Sequence, residues 1–318
     1  MADKKNNKIP VRVNYNRNLS LKQVLRHWEY YLMLLPVLAY FAIFCYQPMY
    51  GVQIAFRDFR ASAGIIGSPF AGFKHFVRFF ESYYFSRLII NTVSLSVLAI
   101  LVSFPAPILL ALMMNEVRIS GFKRTVQTFT YAPHFISTVV MVGMLQIFLS
   151  RSYGTINGIL GLFGIEPIEF LASAPWFRPV YVLSGVWQSA GWGSIIYMAS
   201  LSSISPELIE AARIDGAGRL RVIWHINLPG ILPTIVILLI LNVGSIMSIG
   251  FEKAFLLQND RNLATSEIIS TFVYKQGLLN AQFSFAAAVG LFNAVINLTL
   301  LFTVNYIVNR LSPDHSLF

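Results

Sequence analysis

Charge is scarce in this sequence and cysteine is almost absent. Only 12% of the 318 residues are Asp, Glu, Lys or Arg, and the one cysteine, Cys45, lies inside an apolar run. A single thiol excludes an intrachain disulfide and any cysteine-based metal site. The histidines, His27, His75, His134, His225 and His315, are far apart, and no H-E-x-x-H occurs. No apolar run holds paired carboxylates, and Glu166 and Glu169 are separated by Pro167 with no metal ligand nearby. That leaves no acid–base or metal constellation for an enzyme to use. Also missing is any G-x-x-x-x-G-K-[ST] loop, so the chain cannot cradle a nucleotide phosphate by that route. With 56% hydrophobic residues and a mean hydropathy of +0.62, a water-soluble globular fold is excluded too.

What is present is a set of long apolar runs. Six of them, near 31–50, 88–114, 129–149, 179–201, 228–249 and 285–308, approach or exceed the ~20 residues that a membrane-crossing helix needs. The reading is an all-α polytopic membrane protein with one domain over 31–309. Residues 1–30 carry Lys4, Lys5, Lys8, Arg12, Arg17, Lys22 and Arg26 and read as a cytoplasmic arm. An interfacial helix is expected around Leu19–Trp28, with Trp28, Tyr30 and Tyr31 in the headgroup belt. No small-x-small cleavage site follows the first run, which reads as an uncleaved span.

The net charge of +10 marks topology rather than nucleic acid, because the basic residues flank the apolar runs. The short loops with Arg118, Lys123 and Arg124, and with Arg213, Arg219 and Arg221, share a side with the basic arm and with Arg310. Both termini, including the tail 310–318, are therefore expected in the cytoplasm. The longer segments 51–87 and 151–178 fall outside, rich in Gly, Pro and aromatics. They read either as interfacial helices or as a landing surface for an external partner.

The interiors of the six runs hold no Asp, Glu, Lys or Arg, and only His134 could ionise there. Carriers coupled to ions or protons place such groups at mid-membrane, so energy is expected to arrive from outside the bilayer. His134, one residue after Pro133, reads as structural. Amides do occur within the runs, at Asn91, Gln146, Gln188, Asn242, Asn293, Asn297 and Asn305. In lipid they need partners, so most are expected to bond between helices. A sugar would want amides for its hydroxyls and aromatic platforms for its CH faces. Trp187, Gln188, Trp192 and Tyr197, with Asn242 and Ser245, offer that mixture as substrate-pathway candidates. Gly191, Gly193 and Gly244 would permit close approach of helices or bending.

Between the fourth and fifth runs lies a polar island, 205–227. Ser205 can cap a helix, Pro206 suits its first turn, and Glu207 meets the positive end of the helix dipole. Gly216 and Gly218 stop it. Leu208, Ala211 and Ala212 share one face by spacing, with Glu207, Glu210 and Arg213 supplying charge around the remainder. So short a helix is marginal alone and is expected to dock on a partner.

Glu210-Ala211-Ala212, then Asp215-Gly216-Ala217, then Ile226-Asn227-Leu228-Pro229 resembles the "EAA…G" loop of permease subunits in binding-protein-dependent ABC importers. Gln47–Phe56, Gln127–Ser137, Gly250–Leu257 and Ser284–Phe292 extend the resemblance over roughly 28–310, toward a branch of carbohydrate permeases that handles larger oligosaccharides. One departure is Ile223, where the family often has an aromatic residue; Trp224 follows it. The resemblance implies the type I ABC importer fold, as in the maltose transporter, in a bacterial inner membrane. It also implies a second homologous permease, two copies of a separate ATPase that use ATP and Mg, and an external solute-binding protein that delivers the sugar. The coupling residues it implies are Glu207, Leu208, Glu210, Ala211, Ala212, Asp215, Gly216 and Ala217. No cofactor and no nucleic acid is expected on this chain. The rival readings are an ion- or proton-coupled secondary carrier and a scaffold without transport.

Overall fold

The computed structural model describes residues 28–311, so the basic arm before Trp28, most of its expected interfacial helix and the tail after Leu311 lie outside the described residues. Among these residues the chain is all-α, its only β features being two isolated bridges, Arg57 with Phe70 and Arg60 with Gly64. It divides into two units, Met1–Gln53 and Ile54–Phe318.

In the first unit, α1 (Trp28–Tyr40) runs on through a π turn, Phe41–Tyr46, toward Pro48. Pro48 lacks the N–H that a helix would direct at the carbonyl four residues back, and its ring crowds that carbonyl. The turn before it widens, so that the Gln47 N–H reaches back five residues to the Ala42 carbonyl. Pro229 repeats the pattern: the π turn Ile223–Asn227 precedes it, and the Leu228 N–H reaches Ile223. No residue of α1 is buried, and Leu32, Met33, Leu35 and Leu38 are all exposed. In water such a surface would aggregate; in lipid it is at home.

The second unit is built around one helix. Its elements are α2 (Lys74–Phe80), α3 (Phe85–Ser103), α4 (Pro105–Asn115), α5 (Ser120–Tyr131), α6 (Thr138–Phe148), α7 (Thr155–Leu162), α8 (Ala174–Ser202) and α9 (Pro206–Ile214). They continue with α10 (Leu228–Gly244), α11 (Phe251–Leu257), α12 (Ile269–Tyr274) and α13 (Phe283–Leu311). Helix α8, with 29 residues, is ~44 Å long at 1.5 Å per residue. It packs against α3, α4, α5 and α10. Where it crosses the end of α5, Gly191 is obligatory: a β-carbon there would collide with the Thr130 carbonyl.

Three apolar clusters hold the unit. Leu95, Met141, Phe177, Tyr181 and Ile268 join α3, α6, α8 and the chain before α12. Phe79, Leu88, Phe272, Phe285 and Val289 join α2, α3, α12 and α13. Ile108, Ala111, Tyr197, Leu201 and Ile231 join α4, α8 and α10.

Among the described residues, four helices are long and apolar enough to cross a membrane: Trp28–Phe56, Phe85–Asn115, Arg219–Gly244 and Phe283–Arg310. The run 129–149, expected as one straight span, is two helices, Ser120–Phe135 and Thr138–Phe148, meeting at 103°. Pro133 turns the chain into a short 3-10 segment, and Ser137 then caps α6 by accepting the Val140 N–H. The fifth run also stops short, at Gly244, and the chain loops through 245–250 before α11.

Broken backbone inside a bilayer needs other partners for its N–H and C=O groups, and the amides supply them. Gln188 donates to the Ile136 carbonyl at 2.8 Å, at the bend. Asn297 accepts the Met247 N–H at 2.9 Å and donates to Ser248 at 2.6 Å, while Ser96 donates to the Ile246 carbonyl.

The long segments 51–87 and 151–178 are folded rather than loose. Arg57 donates to the Ile66 and Ser68 carbonyls, and the Phe59 N–H reaches Ser284 on α13 at 2.9 Å. Asp58 pairs with Lys74 at 2.9 Å and with His75 at 3.1 Å; the Lys74 hydrogen bond holds its carboxyl below the ordinary carboxylate range. In the second segment buried Asn157 spans the loop, donating to the Ser150 and Ile168 carbonyls and accepting the Ile168 N–H.

Candidate functional site

Helix α9 stands between α8 and the Arg219–Asn227 turns that lead into α10. Both its ends are closed by its own residues. At the start the Ser205 hydroxyl accepts the Glu207 N–H at 3.3 Å, with Pro206 in the first turn. At the finish the Gly216 N–H bonds the Arg213 carbonyl at 3.1 Å and the Ala217 N–H bonds the Ala212 carbonyl at 2.9 Å. This paired closure is a Schellman motif and needs a left-handed residue at its turn. Gly216 provides it, with φ +79°.

No residue of α9 is buried. Leu208 is 58% exposed and Ile214 86%, and Leu220 and Trp224 just beyond are similarly bare. The outward surface combines Leu208, Ala211 and Ile214 with Glu207, Glu210 and Asp215. Ala212 departs from the expected arrangement: with Ile209 and Ala217 it is half-buried against its own chain. The helix therefore turns Ile209 and Ala212 inward and leaves an apolar strip rimmed by acids facing out.

The six pathway candidates are not brought together at one point. Tyr197 and Asn242 line a single cleft of 350 Å³ between α3, α4, α8 and α10, with Ser103, Ser189 and Gly193. Asn242 also donates to the Leu238 carbonyl one turn back, and Ser245 bonds the Leu241 and Asn242 carbonyls, so both keep to their own helix. Gln188 is committed to the bend. Trp192 stacks on His134, ring centroids 4.5 Å apart and nearly parallel, with Phe135 edge-on. His134 thus serves the aromatic elbow at the bend. Trp187 lines a separate, apolar hollow with Trp176 and Phe170.

Two charged features were invisible in the sequence. Arg87 pairs with buried Glu267, Asn91 donates to the Ala264 and Glu267 carbonyls, and Arg178 donates to Asn91. This knot ties the starts of α3 and α8 to the segment before α12. The second is Lys253 on α11, which is buried and donates to the Tyr181 carbonyl of α8. Among the described residues, no group of three or more His, Cys, Asp or Glu could hold a metal ion.

Residues 103–313 match the family model described as binding-protein-dependent transport system inner membrane component. The chain is 46% identical over 284 residues to the polygalacturonan/rhamnogalacturonan transport system permease protein YteP of Bacillus subtilis (strain 168), covering 89% of this chain and 88% of that one. It is 43% identical to Protein LplB of the same organism, over 89% of each chain. Among solved structures, it superposes with a TM-score of 0.85 and 44% identity on a chain of a bacterial ABC transporter involved in the import of the acidic polysaccharide alginate. The match covers 92% of this chain and 98% of that one. A bacterial alginate ABC transporter in complex with an alginate pentasaccharide-bound periplasmic protein matches equally, with a TM-score of 0.85, 43% identity and coverage of 92% and 97%.

Proposed function

The chain belongs to the family of binding-protein-dependent transport system inner membrane components, and from that premise we propose that it is the permease subunit of an ATP-driven oligosaccharide importer. It passes the sugar from an external binding protein into the cytoplasm by alternating access. The observation that carries this reading is the likeness over nearly the whole chain to permeases of polysaccharide importers. Those relatives are named for polygalacturonan/rhamnogalacturonan and for an acidic polysaccharide, so we assign a carboxylated oligosaccharide as the substrate class.

The chain has no P-loop, and the energy enters through α9. Two copies of a separate ATPase, which hold the ATP and Mg, engage this subunit and a second homologous permease. Leu208, Ala211 and Ile214 seat in a groove of the ATPase, while Glu207, Glu210 and Asp215 set its orientation. Gly216 and Ala217 fix the angle at which the lever joins the chain toward α10. The sugar path runs at the interface of the two permeases and includes the cleft of Tyr197 and Asn242. The bent pair and α8 complete six spans with the four apolar helices, and both termini lie in the cytoplasm.

The test is to purify the tagged chain in mild detergent, identify what accompanies it, and measure uptake by the reconstituted assembly. Recovery of a second permease and an ATPase, with uptake that stops when ATP is removed, is expected. Uptake that persists without ATP while an ion gradient is intact would sink the reading and favour a secondary carrier.

A further inference from the structure

Lys253 is the one buried lysine among the described residues. Its ammonium donates to the Tyr181 carbonyl and lies 4.5 Å from the centre of the Tyr181 ring. Among the described residues no carboxylate lies within ion-pair distance of it. The Arg87–Glu267 pair shows how this chain neutralises a charge that serves structure alone. A buried cation without a carboxylate partner carries a desolvation cost of several kcal/mol, set here against one carbonyl hydrogen bond and one ring contact, so packing alone does not call for a lysine.

The surroundings of the ammonium point along α8. A β-carbon on Gly185 would stand 3.2 Å from Nζ, so the ammonium occupies the place where Gly185 has no side chain. Gly185, Ser189, Gly193 and Ile196–Tyr197 fall on one face of α8 by the four-residue spacing of a helix. All but Gly185 line the 350 Å³ cleft. Gly185 is ~6 Å along the helix from Ser189, toward the end of α8 remote from α9. The ammonium thus lies beside Gly185, one turn beyond Ser189 and outside the cleft's own lining, on a four-carbon stem that can swing toward it.

We infer that Lys253 is a specificity-determining residue that receives a carboxylate of an acidic oligosaccharide at the end of the cleft remote from α9. This rests on the importer reading above. The Tyr181 carbonyl and ring hold the ammonium until the carboxylate replaces them, and no bond is made or broken.

The experiment uses the complete reconstituted transporter with two acidic probes, a galacturonate trimer and an alginate pentasaccharide, and with the methyl ester of each. Wild type is expected to favour the acid. Lys253→Met replaces an unpaired cation by an apolar side chain of similar length, so the fold is expected to survive. It should lower uptake of the acid by roughly tenfold or more while leaving the ester near its wild-type rate; Lys253→Arg should keep the preference. Lys253→Gln gives the same readout if the Met variant does not assemble. An unchanged acid-to-ester ratio in Lys253→Met overturns the inference, and so does an equal loss of both probes, the mark of a structural role. Wild-type uptake of neither acid, or of acid and ester alike, overturns it too. ATP-independent uptake by wild type would instead defeat the importer reading, so the two failures are distinct.

Discussion

Gly216 and Gly191 both restrict what may replace them, for opposite reasons. Gly216 has φ +79° and open space where a side chain would go, so its constraint is conformational. Gly191 has ordinary helical backbone and no room at all. Asn tolerates left-handed backbone, whereas a β-branched residue is strained there by ~1–3 kcal/mol. Gly216→Asn should therefore keep most ATP-dependent uptake and Gly216→Val should lose it, with both chains still in the membrane. Equal uptake by the two would remove the closing turn from the mechanism. At this scale the sequence was informative where one residue carries the property: Ser205, Pro206 and Gly216 act as read. It was silent where a property needs two distant residues. Lys253 and Tyr181 are 72 positions apart, and Arg87 and Glu267 are 180 apart. Gln188 went the other way: its amide looked free for a sugar until the bend at Ile136 claimed it.

Helix α9 closes its own ends, so the docking proposed above leaves it little ordering to do. Its capacity to bind then rests on the exposed strip, where burying a leucine or isoleucine side chain stabilises by ~1.5–3 kcal/mol. Leu208→Glu and Ile214→Glu should each remove the ATPase from the purified complex while leaving this chain assembled with its sister permease, since both side chains are mostly exposed on their own chain. An undiminished ATPase yield from both variants would place the docking surface elsewhere. The face of α9 was only partly legible, because helical spacing groups Ala212 with Leu208 and Ala211 but does not say which side the parent chain covers. The bend after α5 was concealed for a related reason. Counting apolar residues over 129–149 is blind to direction, although Pro133 and Ser137 supplied the break and the cap.

Across the whole molecule, α8 is the helix with least need of an apolar surface. Packed against α3, α4, α5 and α10, it accommodates Ser184, Gln188, Gly191 and Ser194 on its covered side and falls short of the apolar character of the other long helices. Hydropathy tracks the side a helix leaves open, and the side of α8 packed on its neighbours can hold small and polar residues without cost. Whether the bent pair crosses the bilayer is a question of sides: a reporter enzyme active only outside the cell should be silent when fused after Arg118 and active when fused after Gly164. The same signal from both fusions would reduce the bent pair to a re-entrant loop. The bare side chains of Leu208, Ile214, Leu220 and Trp224 also bear on how the cell counts its subunits. In the orientation and assembly proposed above, a copy made in excess of its partners displays them to the cytoplasm, where quality-control proteases read exposed apolar segments as unfinished work. The abundance of this subunit is then expected to follow the supply of its partners rather than its own rate of synthesis.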